Sequence, residues 1–517
     1  MSGIIQAAKP ELLFAGADWD FNLINRVDEA IAKIAHGEMG LNTYPNQIEV
    51  ITSEQMLDAY ASTGMPLFYR HWSFGKQFAR NEAMYRKGYQ GLAYEIVINS
   101  NPCIVYIMEE NSATMQTLVL AHAAYGHNHF FKNNYVFKQW TDADGILDYL
   151  EFARDFISKC EDRYGQAEVE RVIDAAHAMQ SHGIHRFPRK RGMDLRSEQR
   201  REEDRRRHGE QLFNDLWRTV PTKGKRSPSK DDQAKRRAIL GLPEENLLYF
   251  FEKTAPRLQG WQREILRIVR LIAQYFYPQR QTKVMNEGCA TFTHHRVMTR
   301  LHETDQISDG AFLEFLHSHT SVVLQPDFDD RRYSGINPYA LGFGMMCDIE
   351  RICLNPTDED REWMPDIAGS RDPYNVLKDI WANYRDESFI SQYLSPAMIR
   401  SFGLFRIVDD EEADELEVSA IHDERGYREI KRSLAKHYDM AYRDADIQIV
   451  DVDLAGDRRL ILQHRVLDGI LLEEADAVRV LQYVADLWGY EVRLLEVDDV
   501  TGETRAEHDV SPKRPFG

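Results

Sequence analysis

An α+β protein is expected from this sequence: a large, mainly α-helical N-terminal and central domain with a small strand region, followed by a C-terminal ferredoxin-like βαββαβ domain. Three observations carry that expectation. Apolar residues recur at helical spacing through residues 142–183 and again from 258 to 278. Upstream, strand-like alternation with β-branched residues is confined to "LAYEIVI" (92–98). From residue 415 onward, strand-like and helix-like segments alternate in an order that matches a split βαβ arrangement.

In chain order, the first 187 residues read as the N-terminal part of a helical core. Asn111 and Ser112 offer an N-cap to a helix whose stripe runs Met115, Leu118, Val119, His122 and then Tyr125 or Gly126. "DADGILDYLEFARDFISKCEDRYG" (142–165) and "QAEVERVIDAAHAMQSHG" (166–183) form a helical hairpin hinged at Gly165. Residues 188–240 form a basic linker: Arg186–Arg237 holds 18 Lys and Arg against 9 Asp and Glu, with Pro, Gly and Ser replacing apolar periodicity. Residues 241–399 resume the helical core, including "LQGWQREILRIVRLIAQYFYP", which Pro278 is expected to stop. Within 400–517, "ELEVSAI" (415–421), "GYREIKRSLAKHY" (426–438), "DIQIVDVDL" (446–454), "RRLILQHRV" (458–466), "EADAVRVLQYVADLWG" (474–489) and "YEVRLLEV" (490–497) read as strand, helix, strand, strand, helix and strand.

Composition narrows the function. At 517 residues with 43% hydrophobic content the chain can bury a substantial core. No apolar run reaches the roughly 18 residues of a membrane span. "MSGIIQAAKPELLF" lacks the basic and apolar parts of a secretion signal, so a cytoplasmic protein with no membrane partner is expected. Five cysteines without a C-x-x-C pair argue for reduced thiols. A net charge of −19 argues against nucleic acid as a general partner.

Two histidine-dense segments point to one site: "LVLAHAAYGHNHFFKNN" (118–134) and "KVMNEGCATFTHHRV" (283–297). On a regular helix, residues five apart are turned by about 140°, so His122 and His127 converge only if the helix ends at Gly126 or holds a π-bulge there. Glu287 and His294 share a face but lie about 10.5 Å apart along the axis. His294 therefore stands behind the ligands, or joins them if the helix bends. His122, His127 and Glu287 give two imidazoles, a carboxylate and an open position, the donor set of a catalytic divalent-metal site.

Long motifs extend this reading. "YPNQIEVITSEQMLDAY", "HWSFGKQF", "GLAYEIVINSNPCIVYIMEEN", "AHAAYGHNHFFKNN", "ENLLYFFEKTAPRLQGWQREILRIVR", "QYFYPQRQTKVMNEGCATFTHH", "FLHSHTSVVLQP" and "YSGINPYALGF" resemble the stage V sporulation protein R (SpoVR) family over nearly the whole chain. The resemblance implies a sporulation or stress-response module that works with a PrkA-type serine protein kinase and a von Willebrand A-like protein. It implies no particular reaction. "MNEGCATF" (285–292) also resembles the NEG-x-A helix of gluzincin metallopeptidases, which implies that Glu287 is a zinc ligand. The partner motif departs from H-E-x-x-H: Ala123 follows His122 and the second histidine comes one position late, so the usual general base is missing. Glu95, or Glu109 or Glu110 just before the histidine helix, would have to activate water. Glu110 equally reads as an acid facing the helix dipole. Tyr339 in "INPYALGF" reads as an oxyanion donor or as a core tyrosine in a turn. His317 and His319 are candidate outer partners. The competing reading is a regulatory scaffold with a structural metal or none.

Overall fold

The computed structural model of the chain describes residues 12–61, 69–86, 95–186, 240–408, 417–420, 422–453 and 456–516. The basic linker expected at 188–240 lies, apart from Leu240, outside them. The described chain forms two compact units: Met1–Asp155 with Pro278–Asp439, and Phe156–Tyr277 with Met440–Gly517. These are discontinuous, whereas consecutive segments were expected from the sequence. The reason is packing. The amphipathic helix Glu424–Tyr438, assigned to a C-terminal domain from sequence, lies against Asp386–Tyr393 in the first unit. In the second unit, Gln166–Ala178 packs on Glu474–Trp488, and Glu244 bridges to Ile449.

The first unit is helical around a three-stranded sheet ordered β1 (Asn46–Ile51), β3 (Cys103–Met108), β2 (Glu95–Ile98). β1 runs parallel to β3, and β2 pairs antiparallel to it from the edge. The central strand "CIVYIM" is almost wholly buried, so it lacks the alternation that marks a half-exposed strand. Ser112 caps the following helix by accepting from the Met115 N–H at 3.1 Å. That helix runs without interruption through Ala113–Leu120, a π-helical segment Ala121–His127 and Asn128–Asn133. Its buried face joins a core containing Phe130, Phe292, Trp381 and Phe389.

The helix Lys283–Glu303 threads through this core. It crosses Pro338–Leu354 at two glycines: a Cβ on Gly342 would stand 2.2 Å from the Val284 carbonyl oxygen, and one on Gly288 would stand 2.7 Å from the Gly342 Cα. At its start, the buried carboxylate of Asp386 accepts the backbone N–H groups of Val284 and Met285, each at 2.9 Å. This borrowed cap fixes the helix axis.

The hairpin around Gly165 appears as expected, with Gly165 at φ 87° between Ile146–Tyr164 and Gln166–Ala178. Pro278 does not stop its helix. Gly260–Gln281 continues for three residues past the proline, which removes one i to i−4 backbone bond without ending the helix. The α+β class holds, but the ferredoxin-like strand order does not. Glu417–Ala420 (β5) pairs with Arg406–Val408 (β4) in a separate ribbon of the first unit. The C-terminal sheet is β6 (Asp446–Val452), β7 (Leu460–Val466), β8 (Val492–Asp498) and β9 (Thr504–Val510), with β7 and β8 parallel across the helix Glu474–Trp488. Its topology is ββαββ. Among the described residues, no helix is long and apolar enough to cross a membrane.

Candidate metal centre

The π-helical segment brings His122 and His127 together. Its i to i+5 hydrogen bonding places residues five apart on one face, and the two rings lie edge to face with centroids 4.6 Å apart. The segment can approach Lys283–Glu303 because Gly126 has no side chain: a Cβ there would stand 2.5 Å from the Ala290 Cα. The Cys289 thiol reaches the Gly126 carbonyl at 3.8 Å. Thus Gly288, Cys289 and Ala290 set the helix contacts that hold Glu287 opposite the imidazoles.

Glu287 Oε2 lies 3.8 Å from His122 Nε2 and 3.6 Å from His127 Nε2. Glu95 Oε1, from the start of β2, lies 3.6 Å from the same His122 nitrogen. Glu95, His122 and His127 offer ligand atoms all within 4.8 Å of one another. These separations exceed hydrogen bonds, but two ligands on one tetrahedral ion at ~2.1 Å stand about 3.4 Å apart. Glu287 Oε2 is buried and makes no hydrogen bond.

A second histidine–carboxylate cluster gives the contrast. Buried Glu496 accepts from His464 at 2.9 Å, His508 at 2.8 Å and the Leu472 N–H at 2.9 Å. That carboxylate is satisfied by protein donors, whereas Glu287 is left open toward two bare ring nitrogens.

The other ring nitrogens explain why those faces are bare. Asn286 Oδ1 accepts from His127 Nδ1 at 2.9 Å, which leaves the Nε2 lone pair free. His122 Nδ1 lies 2.9 Å from His294 Nδ1, and His294 Nε2 lies 2.9 Å from His319 Nδ1. Charge follows this geometry. Burial pushes the His127 imidazole down to about 4, against the pull of Glu287. Burial lowers His122 too, but the carboxylates of Glu287 and Glu95 more than offset it and leave it raised. Burial raises Glu287, yet His122, His127 and a hydrogen bond with Tyr339 outweigh it, so its carboxyl ends below the usual range. Glu95 ends raised: burial and Glu287 push it up more than His122 pulls it down. Two carboxylates in one site are therefore driven apart.

Of the residues selected from sequence, His122, His127, Glu287 and Glu95 converge, and Tyr339 joins through the Glu287 carboxylate. His294 is not a ligand. Both its nitrogens are engaged by other histidines, because its position two turns beyond Glu287 puts it behind His122. Glu110 is also excluded: it is exposed and accepts the Ser53 N–H at 3.3 Å. His319 is an outer partner, and His317 is exposed. Asn286 carries no metal-ligand signal of its own, although it sits beside Glu287 in "MNEGCATF". Asp386 carries no sequence signal, being about a hundred residues from the helix it caps. An Asn286→Ala substitution is expected to weaken zinc binding roughly 10- to 100-fold in a calorimetric titration, by freeing the His127 ring to turn.

Fold and site together define an α+β protein whose helical unit carries a buried histidine–carboxylate centre suited to a divalent ion. The family described as SpoVR like protein matches residues 18–443, and the SpoVR-like C-terminal domain matches residues 445–499. The chain belongs to the SpoVR family. It is 52% identical over 479 residues to YcgB of Escherichia coli (strain K12), described as an uncharacterized protein, covering 93% of this chain and 92% of that one. No solved structure matches.

Proposed function

We propose that the His122, His127 and Glu287 centre holds a divalent ion, zinc by its donor set, and hydrolyses an amide or peptide bond. The observation that carries this reading is the buried, unbonded Glu287 Oε2 facing two bare imidazole nitrogens at 3.6 and 3.8 Å. An ion held there would act as a Lewis acid and make water a usable nucleophile near neutral pH. Two neutral imidazoles and one carboxylate leave such an ion partly charged. Glu95 supplies, from strand β2, the acid missing from the histidine helix. Its raised pKa lets the carboxylate take a proton from water and return it to a leaving amine. Tyr339 is better suited to positioning than to holding an oxyanion, since its one O–H is engaged with Glu287.

Glu95→Gln is expected to keep zinc affinity within about tenfold while turnover of a quenched-fluorescent peptide library falls roughly 10²- to 10⁴-fold. One observation favours a second reading. Glu95 stands as near His122 as Glu287 does, and as a fourth ligand it would close the site into a structural centre of a scaffold. Work alongside a PrkA-type kinase and a von Willebrand A-like protein in a stress or sporulation module fits either reading. Loss of zinc from Glu95→Gln, with no peptide turnover in the wild type, would favour the scaffold.

A further inference from the structure

Behind the metal-facing nitrogen of His122 runs a line of three imidazoles. His122 Nδ1 and His294 Nδ1 are 2.9 Å apart, as are His294 Nε2 and His319 Nδ1. All three side chains are buried, at 5%, 3% and 5% exposure. Enclosure of this kind disfavours a charged ring, so His294 and His319 are read as neutral imidazoles. A neutral imidazole carries one N–H, and two facing ring nitrogens at this distance attract only if one of them holds the proton. The line therefore has two self-consistent arrangements. In one, protons sit on His122 Nδ1, His294 Nε2 and His319 Nε2. In the other, they sit on His122 Nε2, His294 Nδ1 and His319 Nδ1.

We propose that ion binding at His122 selects the first arrangement, so that His294 and His319 form a tautomer-locked support that turns the His122 Nε2 lone pair toward the ion. This rests on the reading that the centre holds an ion. The ion needs the bare Nε2 of His122, which requires the proton on Nδ1. His294 must then accept at Nδ1 and donate from Nε2, and His319 must accept at Nδ1. Passing from the second arrangement to the first moves one proton across each hydrogen bond, adds one at His319 Nε2 and releases one from His122 Nε2, with no net change. His294 and His319 are positioning residues: they touch neither ion nor substrate, and they act through one ring.

Two measurements on the full chain test this. First, ¹⁵N-histidine NMR of the zinc-loaded protein, assigned with single substitutions, should find His294 protonated on Nε2 and bare on Nδ1. Second, zinc affinity should fall about tenfold in His319→Leu, which leaves the His294 Nε2–H without an acceptor, and return to within about threefold of wild type in His319→Asn, whose Oδ1 accepts from the position of the lost Nδ1. A proton on His294 Nδ1 in the loaded protein, or equal zinc affinity in His319→Leu and wild type, would overturn the tautomer support while leaving the metal centre intact. A wild type that takes up no zinc would overturn both.

Discussion

Glu287→Ala is expected to fold and to lose its ion, with zinc affinity down about a thousandfold, or roughly 4 kcal/mol, in a competition titration against a chelator. Glu287 faces both imidazoles with a carboxyl held below the usual range, whereas burial and Glu287 push the neighbouring Glu95 up, and Glu287 Oε2 is buried without a hydrogen bond. Removing it leaves two imidazoles and the Glu95 carboxyl, whose raised pKa makes it the poorer ligand. The fold should survive, because neighbouring Gly288, Cys289 and Ala290 keep their helix contacts. Wild-type affinity should itself depend on pH. A proton on His122 Nε2 occupies the lone pair an ion needs, and Glu287 and Glu95 raise the pKa of that ring. Binding is thus full at alkaline pH, and its loss should begin above the ordinary histidine value of about 6.5 and deepen as pH falls. Affinity that is flat from pH 8 to pH 5 would remove His122 from the ligand set.

Gly342→Ala should cost about 3 kcal/mol of stability and weaken zinc binding as well, although Gly342 touches no ligand atom. Its Cβ would lie 2.2 Å from the Val284 carbonyl oxygen and 2.8 Å from the Gly288 Cα, and neither can rotate away because both are backbone. The helices Lys283–Glu303 and Pro338–Leu354 would have to part. Tyr339, one turn before Gly342, would then draw back from Glu287. Gly37→Ala is the control: it is exposed and helical, its Cβ would meet nothing within 4 Å, and it should be neutral or mildly stabilising. Thermal unfolding of the two variants, read beside their zinc titrations, separates crossing from composition. If Gly342→Ala melts with the wild type, the close crossing is not what holds these helices.

Much of the centre was legible because its chemistry is written in short range. The i to i+5 spacing of His122 and His127 demands a helix irregularity at Gly126, and the π-helical segment supplies it. Glu287 was marked by its motif, and Glu95 by the strand alternation around it. Sharing a helix face with Glu287 left two places open for His294, behind the ligands or among them, and the structure takes the first. Two turns of rise put it behind His122. Glu110 sits in a turn whose direction depends on β1 and β3 pairing, and "CIVYIM" is too uniformly buried to announce itself as a strand. In the C-terminal part the helix and strand segments were readable, but their partners were not. "TRAEHDV" (504–510) is an edge strand with a mostly exposed, charged face, so its hydropathy hides it. β7 and β8 pair directly, where a ferredoxin-like order would seat β5 between them, so β5 has no place in that sheet.

The most direct test is the anomalous scattering of zinc-soaked crystals, recorded on both sides of the zinc absorption edge. The expected result is one peak about 2.1 Å from His122 Nε2, His127 Nε2 and a Glu287 oxygen, absent from crystals of Glu287→Ala grown and soaked alike. No peak between the three side chains, with zinc bound elsewhere or not at all, would contradict the metal centre.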